Sequence, residues 1–528
     1  MPAPKNNSHK LILAISGIVV LVMGVILFFI PPALFPDPGQ GFQVLRCMLQ
    51  GGGFNNFVSP DQSDISQTYT EFFTWWSPGQ YLVPYFFKLL AGLNMGEAIA
   101  ITVAVSQLLG LAGFYLFFKK IGFTPFIAVI SLVFIICQQA FMIPYVYYNG
   151  GEILLFAFLG WFLYGCISIK KTGLSLALFV LLSGLIGFFC KSSFLWMYAA
   201  GLCCLWMGLS SYRMGIAGWI KRALWIGVPA AASLAIIYIF YISKGQSPAS
   251  TSSGFKLTAQ TFSYPLASPI LSGFSIDDVF HGLVYHTWKP IFNSGLGAII
   301  LILIAVLSVL LILSIIRYVP NNNYRLFVTV FYVTAILFFG FSYLHQLNIS
   351  MEARHFRIIG LLIVPGVIYL VSKSKAVFRF LFALVFIGIT YNSFAYLIKG
   401  FEINHSSAKG VSGIAQVNID QPSLNYIMKL DKENSNATFV FINNDIGLEV
   451  LHNHIITLQP IGDDLKIDTD DYRYDGFAGP LYIVLPESYN GPKEKMIMKS
   501  FPGYTGFYLS MLSDNYVLYA AKMKRTKL

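Results

Sequence analysis

The sequence predicts an α-helical polytopic membrane protein of about 11 transmembrane helices, followed by a small soluble α/β domain at the C-terminal end. Three observations carry this. The 528 residues are 56% hydrophobic and only 11% charged, with a mean hydropathy of +0.65, whereas soluble proteins carry about 25% charged residues. Long apolar runs recur over the first 400 residues. Beyond them, short apolar runs alternate with polar turns. This composition excludes a soluble enzyme, a disordered chain and a fibrous repeat. The net charge of +11 divides at residue 400 into +14 before and −3 after. The basic excess therefore sits among the apolar runs, where Lys and Arg mark cytoplasmic loops. No nucleic-acid partner is expected from it. The six cysteines build neither a disulfide framework nor a C-x-x-C metal motif.

A bilayer core takes about 20 apolar residues per helix. Eleven runs qualify, at roughly 11–30, 97–118, 124–143, 151–169, 173–190, 193–210, 219–243, 293–316, 326–345, 357–372 and 377–398. The first follows Lys5, His9 and Lys10. It reads as a retained anchor, because no small-residue cleavage site ends it. With the N-terminus inside, five short cytoplasmic loops hold the basic residues, among them Lys119, Lys120, Lys170, Lys171, Arg317 and Arg325. This is the positive-inside pattern. The nine carboxylates before residue 400 all fall on the other side. Acid–base or metal chemistry is therefore expected on the outer face, and a bacterial inner membrane is the expected compartment.

Residues 1–399 are thus expected as the membrane domain and 400–528 as an extracytoplasmic domain. In the latter, 437–442, 454–459, 481–486 and 516–521 read as strands, and 423–430, 446–452 and 492–499 as helices. An acidic stretch with Asp463, Asp464, Asp468, Asp470, Asp471 and Asp475 lacks the ordered D-x-D-x-D-G loop of a calcium site. It reads as a solvated loop.

Residues 31–96 form a first outer loop too long for a connector, and loops beyond about 15 residues are usually functional. Asp37 comes just after the first span. A helical segment at 42–49 ends in Gly51-Gly52-Gly53. A polar crossing leads to Trp75-Trp76-Ser77-Pro78-Gly79-Gln80 and a second apolar helix. This order resembles the GT-C class of membrane glycosyltransferases, which includes protein O-mannosyltransferases and lipid A aminoarabinose transferases. Asp37, Arg46-Cys47-Met48, Gly52-Gly53 and Ser77-Pro78 stand where that class has its acidic residue, its R-x-M-like helix, its glycine stop and its proline-rich return. Pro38 departs from the pattern, since many members have a second carboxylate there. The resemblance implies a polyprenyl-phosphate sugar donor and a lipid, glycan or protein acceptor. It places Asn149 and Glu152 at a helix entry belonging to the site. Trp76 and Gln80 are expected substrate contacts.

The chemistry points the same way. A sugar leaving a lipid phosphate releases a stable anion, so a base for the incoming nucleophile matters most. Charge developing on the phosphate calls for Lys, Arg or a metal. Asp37 at the membrane boundary is the candidate base, with helix N-capping as its structural alternative. Glu152, in Tyr-Tyr-Asn-Gly-Gly-Glu, sits at a helix entry where a carboxylate is costly unless paired or functional. It either positions the acceptor or helps Asp37 hold a divalent metal; a helix-dipole role is the bland reading. The cofactor stays open. Lys191 is a phosphate contact or a snorkelling lysine. Arg354 and Arg357, one helical turn apart with His355 between them, suit phosphate, or else lipid headgroups or Glu352. In 244–290, Asp277 with His281 is an i,i+4 metal pair, or the segment is an interfacial helix with membrane-lipid contacts. Two other functions fit less well. A polyprenyl-diphosphate polymerase or ligase usually has its main outer loop late in the chain. A transporter or flippase needs polar groups near mid-span and broken helices.

Overall fold

The computed structural model describes residues 8–210, 214–247, 251–276, 294–462, 465, 474–476 and 479–523. The helices in order are α1 (Ser8–Phe29), α2 (Pro36–Leu49), α3 (Gly79–Ala91), α4 (Met95–Ile121), α5 (Pro125–Ile136), α6 (Gln139–Val146), α7 (Gly151–Ser168), α8 (Leu174–Cys190), α9 (Phe194–Leu209) and α10 (Ile216–Phe240). They continue with α11 (Ala259–Gly273), α12 (Ser294–Tyr318), α13 (Asn322–Leu344), α14 (Arg357–Lys373), α15 (Ala376–Ser406), α16 (Gln421–Glu433) and α17 (Pro492–Lys499). Every expected apolar run is helical. Among the described residues, eight helices are long and apolar enough to cross a membrane: the chain is an integral membrane protein. They are α1, α4, α7, α10 and α12–α15, the α14 span including the turn before it. The helices α8 and α9, of 17 and 16 residues, are shorter.

The run expected at 124–143 is not one straight helix. It breaks between α5 and α6 with a bend of 49°. A break inside an apolar unit must re-satisfy the backbone. Here Gln107 donates to the Phe141 carbonyl at 3.0 Å, while the buried Gln138 side chain at the break donates to the Gly273 carbonyl at the end of α11 at 2.8 Å.

The chain divides into two compact units, 1–24 with 103–144 and 151–398, and 25–102 with 145–150 and 399–528. In the first, small residues let helices meet closely. A Cβ on Gly360 of α14 would lie 2.6 Å from the Ser272 carbonyl of α11. Such close approach replaces the hydrophobic drive that lipid cannot supply, and it fixes the turn entering α14.

The second unit joins the first long loop to the C-terminal region. Strands β1 (Ala33–Leu34) and β4 (Tyr147–Tyr148) pair in parallel. After β1 come α2, the hairpin β2 (Asn56–Pro60) and β3 (Thr68–Phe72), and α3. A short antiparallel pair, β5 (Ala408–Lys409) and β6 (Ala415–Gln416), precedes the main sheet. That sheet contains β7 (Thr438–Phe441), β8 (His454–Thr457), β9 (Leu481–Pro486), β10 (Tyr504–Met511) and β11 (Tyr516–Met523), in the order β10-β11-β9-β7-β8. Strand β7 is parallel to β8 and β9, and β11 is antiparallel to β9 and β10. The four expected strands are present. The exposed β10 was not expected. The helix expected at 446–452 is only a 3-10 turn, Ile446–Glu449. Alternation along β7 puts Phe439 and Phe441 against Leu424 and Ile427 of α16. Val440 faces the opposite side with Ile483, Tyr519 and Ile65, the last contributed by the first loop.

Helix α2 docks on this region through one face. Gln43 donates to the Asn444 carbonyl at 2.7 Å, Arg46 to the Val450 and Asn453 carbonyls at 2.5 and 2.6 Å, and Gln50 to the Leu451 carbonyl at 2.7 Å. Spacings of three, four and seven residues share a helix face. Asp431 holds the receiving loop, accepting from the Leu451 N–H at 2.8 Å and the Asn453 side chain at 2.8 Å. Burial would raise its carboxyl, but the Asn453 amide, the His452 ring and two backbone N–H groups hold it below the usual range. Replacing Arg46 by Met keeps the stem and strands two carbonyls, at a cost of about 1–3 kcal/mol. A lowered midpoint in chemical unfolding is expected. An unchanged midpoint would contradict the docking.

Candidate functional site

In the first unit, α7 opens at Gly151 and α8 closes at Cys190. A Cβ on Gly151 would lie 2.8 Å from the Cys190 carbonyl, so the two helix ends converge. Glu152 in the first turn of α7 then meets Lys191, the extended residue that ends α8. Each charge also suits its helix dipole. Lys191 Nζ donates to Glu152 Oε1. Arg354 lies in the 3-10 turn Ala353–Phe356 before α14. Its Nη1 is 3.6 Å from the same Glu152 oxygen and its Nε is 2.5 Å from Glu352 Oε2. The side chains of Lys191 and Glu152 are 15% and 20% exposed, and that of Arg354 33%. Two cations and two carboxylates thus form a chain of ion pairs that solvent still reaches.

Arg354 and Arg357 have different polar neighbours. Arg357 begins α14, and its Nη1 lies 3.5 Å from the Ser272 carbonyl. Between them His355 places Nε2 3.2 Å from Ser350 Oγ and tilts over the Phe339 ring at 5.9 Å. Tyr343 donates to the Ser350 carbonyl at 3.3 Å and also lines a cavity of about 630 Å³ with Lys256, Thr258, Gln260 and Asn348.

The second unit holds the other expected residues. Asp37 is half-buried at the second position of α2, and the N-cap is Phe35. Asp37 therefore does not cap this helix, although it sits in the favourable first turn. Trp76 belongs to an aromatic cluster, 5.4 Å from Phe73 and 5.6 Å from Trp75 by ring centroids. Gln80 is 3% exposed, and its carbonyl accepts from the Tyr148 hydroxyl at 2.7 Å. Its side chain packs on the turn carrying Asn149, where Gly150 has φ +57° and a Cβ would lie 2.7 Å from Gln80 Oε1. Gln80 Nε2 and Asn149 Oδ1 are buried without a hydrogen-bond partner among the described residues. A donor and an acceptor here are thus unsatisfied. The Tyr148 contact carried no sequence signal, and Tyr148 reads as an ordinary interfacial tyrosine.

For a divalent metal the donor set does not fit. Glu152 already balances an ammonium and a guanidinium, and no three His, Cys, Asp or Glu side chains group together among the described residues. No step below runs through a metal. Asp277, Asp278, His281, Lys289 and the acidic stretch from Asp463 to Asp471 lie outside the described residues.

No protein-family model and no curated protein sequence matches the chain. Solved structures that align with it include three of GT-C glycosyltransferases. The mycobacterial arabinofuranosyltransferase AftD aligns at 12% identity with a TM-score of 0.48, over 97% of this chain and 40% of that one. ArnT of Cupriavidus metallidurans aligns at 12% identity and 0.42, over 96% and 97%. The Archaeoglobus fulgidus oligosaccharyltransferase aligns at 12% identity and 0.47, over 99% and 75%. This chain therefore spans well under half the length of AftD.

Proposed function

We propose that this chain is a membrane glycosyltransferase that moves a sugar from a polyprenyl-phosphate donor to a lipid, glycan or protein acceptor on the outer face. The observation that carries the reading is the Lys191–Glu152–Arg354 cluster at converging helix ends. Ionisable groups gathered in an otherwise apolar helical unit are costly and mark function. In this reading Lys191 and Arg354 hold the donor phosphate, and Arg357 and His355 border it. Glu152 balances the cations until the phosphate takes its place, and then positions the acceptor. Asp37 takes the proton from the attacking hydroxyl or amine as the bond from the anomeric carbon to the phosphate oxygen breaks. The cations stabilise the charge left on the phosphate. Gln80 and Asn149, with unsatisfied amide groups, contact substrate hydroxyls, and Trp76 supplies an aromatic edge.

A transporter would draw on the break between α5 and α6. The side-chain amide N–H groups of Gln107 and Gln138 there, however, donate to backbone carbonyls, which disfavours that use. The test is mass spectrometry of lipids that purify with the full chain in native nanodiscs. A polyprenyl-phosphate sugar is expected, and it should be depleted from Arg354→Ala preparations. Bulk phospholipid alone in both preparations would contradict the donor assignment.

A further inference from the structure

A second cleft lies wholly within the second unit. It has a volume of about 250 Å³. Phe35 and Gln40, around the first turn of α2, line one side, and Asn418, Asn443, Asn444 and Asp445 the other. The walls are held in place. Gln43 donates to the Asn444 carbonyl at 2.7 Å and to Thr457 Oγ1 at 3.1 Å, and Gln416 donates to the Asp445 carbonyl at 3.1 Å. A Cβ on Gly39 would lie 3.3 Å from Asn444 Cβ, so the two sides meet at the base. Two acceptors here, Gln40 Oε1 and Asn444 Oδ1, are buried without a partner among the described residues. Buried polar atoms left open are costly unless a ligand or water fills them.

We propose that this cleft binds one ring of a neutral saccharide, through the side-chain amides of Gln40, Asn443 and Asn444 with Phe35 beside them. A ligand that brings donors would satisfy the unpaired acceptors. Side-chain amides offer a donor and an acceptor side by side, which matches neighbouring hydroxyls. No Lys or Arg is among the lining residues, and Asp445 is 6% exposed. Phosphate and carboxylate ligands are therefore disfavoured. The Phe35 ring offers an apolar side for sugar C–H groups. The volume falls below the roughly 300–1,000 Å³ of drug-sized sites and suits a single ring. The inference goes beyond the transfer reading and stands without it, because binding is read without turnover.

The test is saturation-transfer NMR on the full chain in micelles. The probes are methyl mannopyranoside, methyl galactopyranoside and methyl arabinofuranoside, with N-acetylglycinamide as a peptide-like control. Transfer to the ring protons of at least one glycoside is expected. Gln40→Met should weaken it about tenfold at an unchanged melting temperature. If that variant is destabilised, Asn444→Ala decides by the same readout. Three results would overturn the proposal: no transfer to any glycoside, transfer to N-acetylglycinamide alone, or glycoside binding untouched by both variants.

Discussion

Asp37→Asn is expected to retain donor binding and stability while losing about 10²–10⁴-fold in turnover, the usual worth of a general base. The amide is nearly isosteric with the carboxylate and cannot take the proton. The position in the fold sharpens the contrast. Phe35, not Asp37, is the N-cap of α2, so a capping role predicts nothing to lose. A structural Asp37 contributes its charge in the first helical turn, worth about 0.3–1 kcal/mol. Loss of that charge would lower the melting temperature slightly and leave the rate alone. Turnover measured beside thermal unfolding separates the two. A wild-type rate with a slightly lowered midpoint would return Asp37 to the helix dipole.

Arg354→Ala is expected to weaken donor use by about 10- to 150-fold, the loss of a charge-assisted contact of roughly 1.5–3 kcal/mol, with the acceptor dependence unchanged. Lys191→Ala should act in the same direction. The companion variant is Glu152→Gln. If Glu152 merely competes with phosphate for Lys191 and Arg354, removing its charge should tighten the donor while the rate holds. If it also positions the acceptor, the donor still tightens but the rate falls. Donor and acceptor KM values measured in all three variants distinguish these cases. Equal losses toward both substrates would make the cluster a structural ion-pair chain.

Composition and hydropathy made the helical membrane part legible, because a span must satisfy its backbone internally and so reads as a long apolar run. The break at 137–138 was hidden, since the run from Pro125 to Val146 stays apolar and Gln107, which satisfies the Phe141 carbonyl, is distant in sequence. Four strands of the C-terminal sheet were readable from alternation. Strand β10 was not, because it is an exposed edge strand with Gly506 at φ +67° and a register shift. At the candidate site, Glu152 and Lys191 each stood out as a charge at a helix end. Their pairing across 39 residues needed the fold, since a helix end alone explains either charge. Gln43, Arg46 and Gln50 showed their common face in the spacing, but only the sheet reveals that the face grips the 444–453 segment.

The central claim is sugar transfer from a lipid phosphate. The direct measurement reconstitutes the purified full chain with polyprenyl-phosphate sugar from its native membrane and follows the lipid by mass spectrometry. The account predicts that wild-type protein converts it to free polyprenyl phosphate as the acceptor gains the mass of the sugar, and that Asp37→Asn binds the donor yet leaves it intact. Donor that stays intact with wild-type protein and native acceptor, or that Asp37→Asn consumes at the wild-type rate, would contradict it.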